Sequence, residues 1–182
     1  MEQKDTRALR NILGCFATGV AIITARTADG AHIGVTVNSF SSVSLDPPLI
    51  LFSLARTAKV LACFQQTKSF GVNILGHGQE SLSNMFARSS TASWDGVGFT
   101  VAENGCALLS SSLAHLECEK AAELEGGVHV ILLGGVTRFH LKEAADPLLF
   151  YRGRYGTYAR NQFSKLPPPD GSLSDFTVTG WG

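Results

Sequence analysis

The sequence predicts a mainly β protein, an antiparallel barrel with a few flanking helices. Short apolar and β-branched runs recur along most of the 182-residue chain, separated by Gly, Pro, Asp and Asn. Helical patterns are few, whereas a parallel sheet would need a helix between successive strands. Hairpin signals such as Ala28-Asp29-Gly30 join neighbouring runs. A closed antiparallel sheet accommodates those hairpins and leaves no exposed edge.

In chain order, residues 6–15 read as a helix with Leu9, Ile12 and Leu13 on one face. Residues 19–25 are apolar and β-branched, hence a strand, and 31–37 form its return across the turn at Gly30. Asp46-Pro47-Pro48 is a breaker before a short buried strand at 49–54. Residues 57–65 read as a short helix with Thr57 near its N-cap, 69–75 as a strand, and 81–88 as a helix. The polar segment 89–98 is a loop. Strands follow near 107–109, 114–123, 128–141 and 147–151. One domain over residues 1–160 is expected, followed by a Pro/Ser/Gly-rich tail at 161–182 that includes Pro167-Pro168-Pro169 and cannot bury much surface.

Hydrophobic residues make up 45% of the chain and charged residues 16%, as expected of a soluble protein with a real core or with surface hidden in an oligomer. Fifteen cations balance fifteen anions. A protein that tracks a phosphate backbone usually carries a basic excess, so nucleic acid is disfavoured. Cys15, Cys63, Cys106 and Cys118 form no CxxC pair, and no N-x-S/T sequon occurs. Buried free thiols in a reducing, cytoplasmic setting are expected. Residues 12–24 are interrupted by Gly14, Thr18 and Gly19, so they read as a helix end and a strand start rather than a targeting segment. No run is long enough to span a membrane.

The chemistry concentrates in Thr36 to Leu51, TVNSFSSVSLDPPLIL, and in the cluster Ser53-Leu54-Ala55-Arg56-Thr57-Ala58-Lys59. Small hydroxyls and freed backbone N–H groups suit a flat heteroaromatic ring rich in acceptors. Arg56, Thr57 and Lys59 suit a phosphate. Together they suggest a flavin nucleotide held without a dinucleotide fingerprint. Gly76-His77-Gly78-Gln79-Glu80-Ser81 lacks the third glycine of such a fingerprint and reads better as a strand-to-helix turn. His129 follows Gly126-Gly127-Val128 at the start of an apolar strand; the glycines would let another molecule's plane approach the backbone. His32, His77, His115 and His140 have no metal-ligand spacing, and no metal is expected. Tyr151-Arg152-Gly153-Arg154-Tyr155 interleaves rings with cations, either as a polar strand and turn or as a stacking surface for a nucleotide.

The chain resembles the short-chain flavin reductases, the small NAD(P)H:flavin oxidoreductase components of two-component monooxygenases. The resemblance runs from about Leu9 to Tyr158. It rests on FATGVAIIT (16–24), TVNSFSSVSLDPPLIL (36–51), the Ser53–Lys59 cluster, FGVNIL (70–75), MFA (85–87), GVHVILLGGV (127–136) and LLFYRGRYGTY (148–158). Where the family often has Gly-Asp-His, this chain has Gly127-Val128-His129. The resemblance implies an FMN-binding split barrel, a homodimer, and hydride transfer from nicotinamide C4 to flavin N5. It implies that Thr36, Val37, Asn38, Ser39, Ser41 and Ser42 line the isoalloxazine and ribityl chain. Ser53, Leu54, Ala55, Arg56, Thr57 and Lys59 would hold the phosphate side, and Asn84, Phe86 and Arg88 the far part of the flavin. His129, as the catalytic candidate, would border the nicotinamide with Tyr151, Arg152 and Tyr155. By the same resemblance the flavin would be FAD or FMN, the donor NADH or NADPH, and the partner a flavin-dependent monooxygenase. Two alternatives stay open: a tightly bound flavin serving a cobalt corrin or ferric chelate, and a flavin-binding module without turnover.

Overall fold

The computed structural model of the protein describes residues 3–88, 94–142 and 146–158. The tail expected at 161–182 lies outside the described residues. The elements in order are α1 (Gln3–Leu13), β1 (Thr18–Gly19), β2 (Ala21–Arg26), β3 (His32–Val37), β4 (Ser41–Leu45), β5 (Pro48–Ala55), α2 (Leu61–Gln66), β6 (Ser69–Ile74), α3 (Glu80–Arg88), β7 (Phe99–Val101), β8 (Ala107–Leu109), β9 (Ala114–Gly126), β10 (His129–Leu141), β11 (Leu148–Tyr151) and β12 (Arg154–Thr157).

Seven strands pair in the order β3-β2-β6-β9-β10-β5-β4, every pair antiparallel. The two edge strands, β3 and β4, are consecutive in the chain. Ser39 between them reaches across to β5: its hydroxyl donates to Ser53 O and accepts from Ser53 N, both at 3.0 Å. This bridge curls the sheet back toward itself and brings the end of β3 against β5. A second sheet, β1-β11-β12, starts where the chain bends at buried Val20, so that β1 joins β11 while β2 joins β3 and β6.

The strands form because their side chains are wanted on both faces. β2 is buried along Ala21–Ala25. Ile23 and Ala25 join Phe52, Phe64, Phe70 and Leu132 in the main core. Ile22 joins Val20, Leu75, Phe86, Leu109 and Leu148 in a second core. A Cβ on Gly134 would collide with the Phe70 ring, so glycine is what lets β10 close over that ring. Buried Asn73 donates to Ile22 O (3.1 Å) and accepts from Leu109 N (2.7 Å), tying β6 to β2 and β8.

Several boundaries depart from the sequence reading. Helix α1 begins and ends earlier, and its apolar face is uncovered, with Ile12 68% and Leu13 65% exposed. Helix α2 starts at Leu61 with Val60 at its N-cap and no side-chain cap bond; Thr57 sits in a turn before it. β4 and β7 were not expected as strands, and β12 forms a hairpin with β11 across Arg152 (φ 48°) and Gly153 (φ 78°). All four thiols are free: Cys106 and Cys118 are buried, Cys63 is half-buried and Cys15 is exposed. Burial pushes the Cys106 thiol up to about 11 and Cys118 to about 12.

Candidate functional site

A groove of about 480 Å³ lies between the end of β3, the end of β5 and the β9–β10 turn. Its walls are Val35, Thr36, Val37, Asn38 and Ser39 on one side, Ser53, Leu54, Ala55 and Ala58 on the second, and Gly126, His129 and Ile131 on the third. The ladder makes this convergence: His129 pairs with Ala55, and Ile131 with Ser53. A smaller pocket of about 130 Å³ adjoins, lined by Val20, Thr36, Val37, Asn38, Ser83, Ala87, Phe150 and Tyr155. A third cleft, about 760 Å³, runs between α1 and the β11–β12 hairpin, with Arg10, Phe16, Thr18, Asn38, Phe150 and Arg152 among its residues. Asn38 lines all three.

The expected ring-side residues divide. Thr36, Val37, Asn38 and Ser39 line the groove, but the Thr36 hydroxyl is committed to Ser83 O at 2.7 Å. Ser41 and Ser42 stand on edge strand β4, outside the residues that line the three cavities, and the Ser41 hydroxyl donates to Ser42 O. Ser53, Leu54 and Ala55 line the groove. Arg56 turns to the β9–β10 turn, while Thr57 and Lys59 are exposed beyond β5.

On α3, Asn84 accepts from the Tyr155 hydroxyl at 3.3 Å, and the same hydroxyl lies 2.8 Å from Ser83 Oγ. Phe86, expected beside the flavin, is instead 2% exposed and packs edge-on against Trp94 in the second core. Arg88 is exposed at the end of α3. His129 is exposed and lines the groove. Tyr155 lines the small pocket, and Arg152 the third cleft. The Arg152 guanidinium lies over the Tyr151 ring at 5.4 Å and donates to Cys15 Sγ at 3.1 Å.

Residues not singled out from sequence also line these cavities: Val35, Ala58 and Ile131 in the groove, Ser83 in the small pocket, and Arg10, Phe16, Thr18 and Phe150 in the cleft. Ile131 was recoverable, since it lies two residues from His129 and strand side chains alternate. The buried Thr18 hydroxyl has no partner in the protein and stands at the cleft.

The donor set fits a flavin. Val37, Leu54, Ala55 and Ile131 supply apolar walls for a flat ring, Asn38 and Ser53 supply side-chain hydrogen-bonding groups beside it, and the orphan Thr18 hydroxyl stands at the adjoining cleft that Asn38 also lines. Among the described residues, no cluster of His, Cys, Asp and Glu could hold a metal ion, and no helix is long and apolar enough to cross a membrane.

The flavin reductase like domain family matches residues 13–159. The chain belongs to this family. It is 39% identical over 157 residues to the FMN reductase (NADH) SmoA of Agrobacterium fabrum, covering 86% of this chain and 88% of the relative. It is 36% identical to the flavin-dependent monooxygenase reductase subunit HsaB of Rhodococcus jostii, covering 85% and 78%. Its fold matches the NADH:FAD oxidoreductase SgcE6 of Streptomyces globisporus, solved in complex with NAD and FAD fragments, at TM-score 0.82 and 35% identity, covering 89% and 98%. Some relatives are longer, and the chain spans about half of their length. The architecture is the antiparallel split barrel of the flavin reductases, and the enzyme class is oxidoreductase.

Proposed function

We propose that this flavin reductase takes a hydride from NADH or NADPH and releases reduced FAD or FMN to a separate flavin-dependent monooxygenase. The observation that carries the reading is the convergence of β3, β5 and the β9–β10 turn on one groove, with Asn38 at its junction with two further cavities. The names of SmoA, HsaB and SgcE6 support the donor, the flavin and the partner class.

A bound flavin supplies the hydride acceptor; the residues supply position. Val37, Leu54, Ala55 and Ile131 exclude water from the ring's faces. Asn38 and Ser53 orient its polar edge, and the exposed Thr57 and Lys59 just beyond β5 hold the phosphate. His129 borders the nicotinamide, with Tyr155 fixed by Ser83 and Asn84 on the side of the small pocket. Hydride transfer depends on this alignment more than on an acid or base, which suits a groove with an imidazole at its rim rather than a buried titrating pair. The enzyme acts as a homodimer in the cytoplasm. The uncovered apolar residues of α1, together with Phe139 and Leu141, support the dimer.

The test is oxidation of NADH and of NADPH by the purified protein with and without FAD, FMN or riboflavin, followed by loss of the reduced nicotinamide absorbance. Fast oxidation only with added flavin is expected. Oxidation without added flavin would point to a resident flavin and another electron acceptor, and no oxidation in any mixture would leave a binding module.

A further inference from the structure

Arg56 is the first residue after β5, and it makes three contacts with the end of the β9–β10 hairpin. Its backbone N–H donates to Val128 O at 2.9 Å, which extends the β5–β10 ladder one step beyond the His129–Ala55 pair. Its Nε–H donates to Gly127 O at 2.9 Å. Its Nη2 pairs with the Glu125 carboxylate on β9. One residue thus holds the last stretch of β9 and both turn residues.

The turn offers little else to hold. Gly126 and His129 close the β9–β10 ladder, Gly127 has no side chain and sits at φ +68°, and Val128 is 75% exposed. The next residue is His129, which lines the groove. A guanidinium carries its donors in a fixed plane, so Nε can serve a carbonyl while Nη2 faces a carboxylate. A lysine ammonium is a single point charge on a flexible stem and cannot reproduce both directions.

We propose that Arg56 is a positioning residue that, with Glu125, clamps the Gly127–Val128 turn and thereby fixes His129 at the nicotinamide side of the groove. The proposal rests on reading that groove as the flavin and nicotinamide site. It moves Arg56 from the phosphate ligands to the support of His129 and leaves Lys59 as the cation of that cluster.

The test uses the full chain and the variants Arg56→Lys, Glu125→Gln, His129→Ala and the double variant Arg56→Lys with His129→Ala. Amide hydrogen exchange of residues 126–130 is measured without ligand, and the KM for NADH and the Kd for FMN are measured separately. In Arg56→Lys the turn should exchange about tenfold faster. Its KM for NADH should rise about fivefold, the size of one lost hydrogen bond. Its FMN affinity should stay within about twofold, because the positive charge is kept. Glu125→Gln should move exchange and KM in the same directions by less, since exposed ion pairs are weak. In the His129→Ala background, Arg56→Lys should raise KM no further, because its effect passes through the imidazole. Wild-type exchange in Arg56→Lys overturns the clamp. A loss of FMN affinity with KM unchanged, or a KM effect that persists without His129, overturns the positioning role. If the wild-type protein oxidises no nicotinamide with any flavin, the functional reading of the groove fails, and the exchange rates alone still decide whether Arg56 clamps the turn.

Discussion

At the level of single side chains, Asn38 and His129 both line the groove, and in the proposed reading they fail differently. Asn38 is exposed at the junction of three cavities, where its amide can both donate and accept. Asn38→Ala should weaken FMN binding by about three- to tenfold, the loss of one neutral hydrogen bond, while thermal stability holds; titration of flavin fluorescence reads this directly. His129→Ala should leave flavin affinity in place and raise the KM for the nicotinamide, and unchanged steady-state kinetics would make His129 a structural residue. That both line the groove was legible in part: Asn38 lies in the hydroxyl-rich run that follows β3, and two glycines precede His129. Phe86 was expected beside the flavin and packs in the second core, because whether an aromatic on a helix faces a ligand or the core depends on Trp94, which packs on it and on Phe99 from beyond the helix. Arg56 was expected at a phosphate and here pairs with Gly127 O and Glu125; a guanidinium suits all three acceptors by the same chemistry, and sequence alone does not say which is near.

Among the elements, β6 is tied to its neighbours through a buried polar residue. Asn73 satisfies Leu109 N and Ile22 O where no water reaches. Asn73→Leu should cost about 3 kcal/mol by leaving both groups unpaired, which urea denaturation would show as a lower midpoint at constant slope. On β9, His115 is 6% exposed with its Nε2 at 2.8 Å from Leu109 O. Burial holds its pKa below the ordinary 6.5, against the raising effect of that bond, and Lys142 and His140 push the same way as burial. The unfolded chain therefore takes up a proton below about pH 6.5 that the folded chain resists, so stability is full above that value and is lost as pH falls. His115→Gln should flatten the fall in Tm between about pH 7 and pH 5, and an unchanged slope would assign that fall to other groups. β2, β6 and β10 were legible from their apolar and β-branched residues, and β9 from the alternation of Leu116, Cys118 and Lys120 with Glu117 and Glu119. β4 was not, because SSVSL is an edge strand whose hydroxyls read as binding groups. β7 has three residues and is a strand only by virtue of pairing with β8. Helix α2 was placed early because Thr57 looks like an N-cap, whereas the chain spends Arg56 to Val60 on turns first.

For the whole molecule, the unexplained quantity is apolar surface. Leu9, Ile12, Leu13 and Phe16 follow helical spacing along and just past α1, and all four are exposed, Phe16 at 78%. Removing side chains of this size from water is worth about 1.5–3 kcal/mol each, so a self-complementary contact between two copies could offset the several kcal/mol that association costs. With no net charge on the chain, long-range repulsion does not oppose it. Light scattering should therefore give twice the mass of the 182-residue chain. Ile12→Lys with Phe16→Lys should convert it to a monomer. Cations at the C-terminal end of a helix are favourable for the helix itself, so an unchanged far-ultraviolet circular dichroism spectrum would show that the contact failed rather than the fold. The third cleft shares Phe16 with this face and Asn38 with the groove. A dimer seated on α1 would wall that cleft, and FMN affinity should then fall on dissociation. A variant that becomes monomeric yet binds FMN as tightly as the parent would place the dimer contact and the flavin site apart.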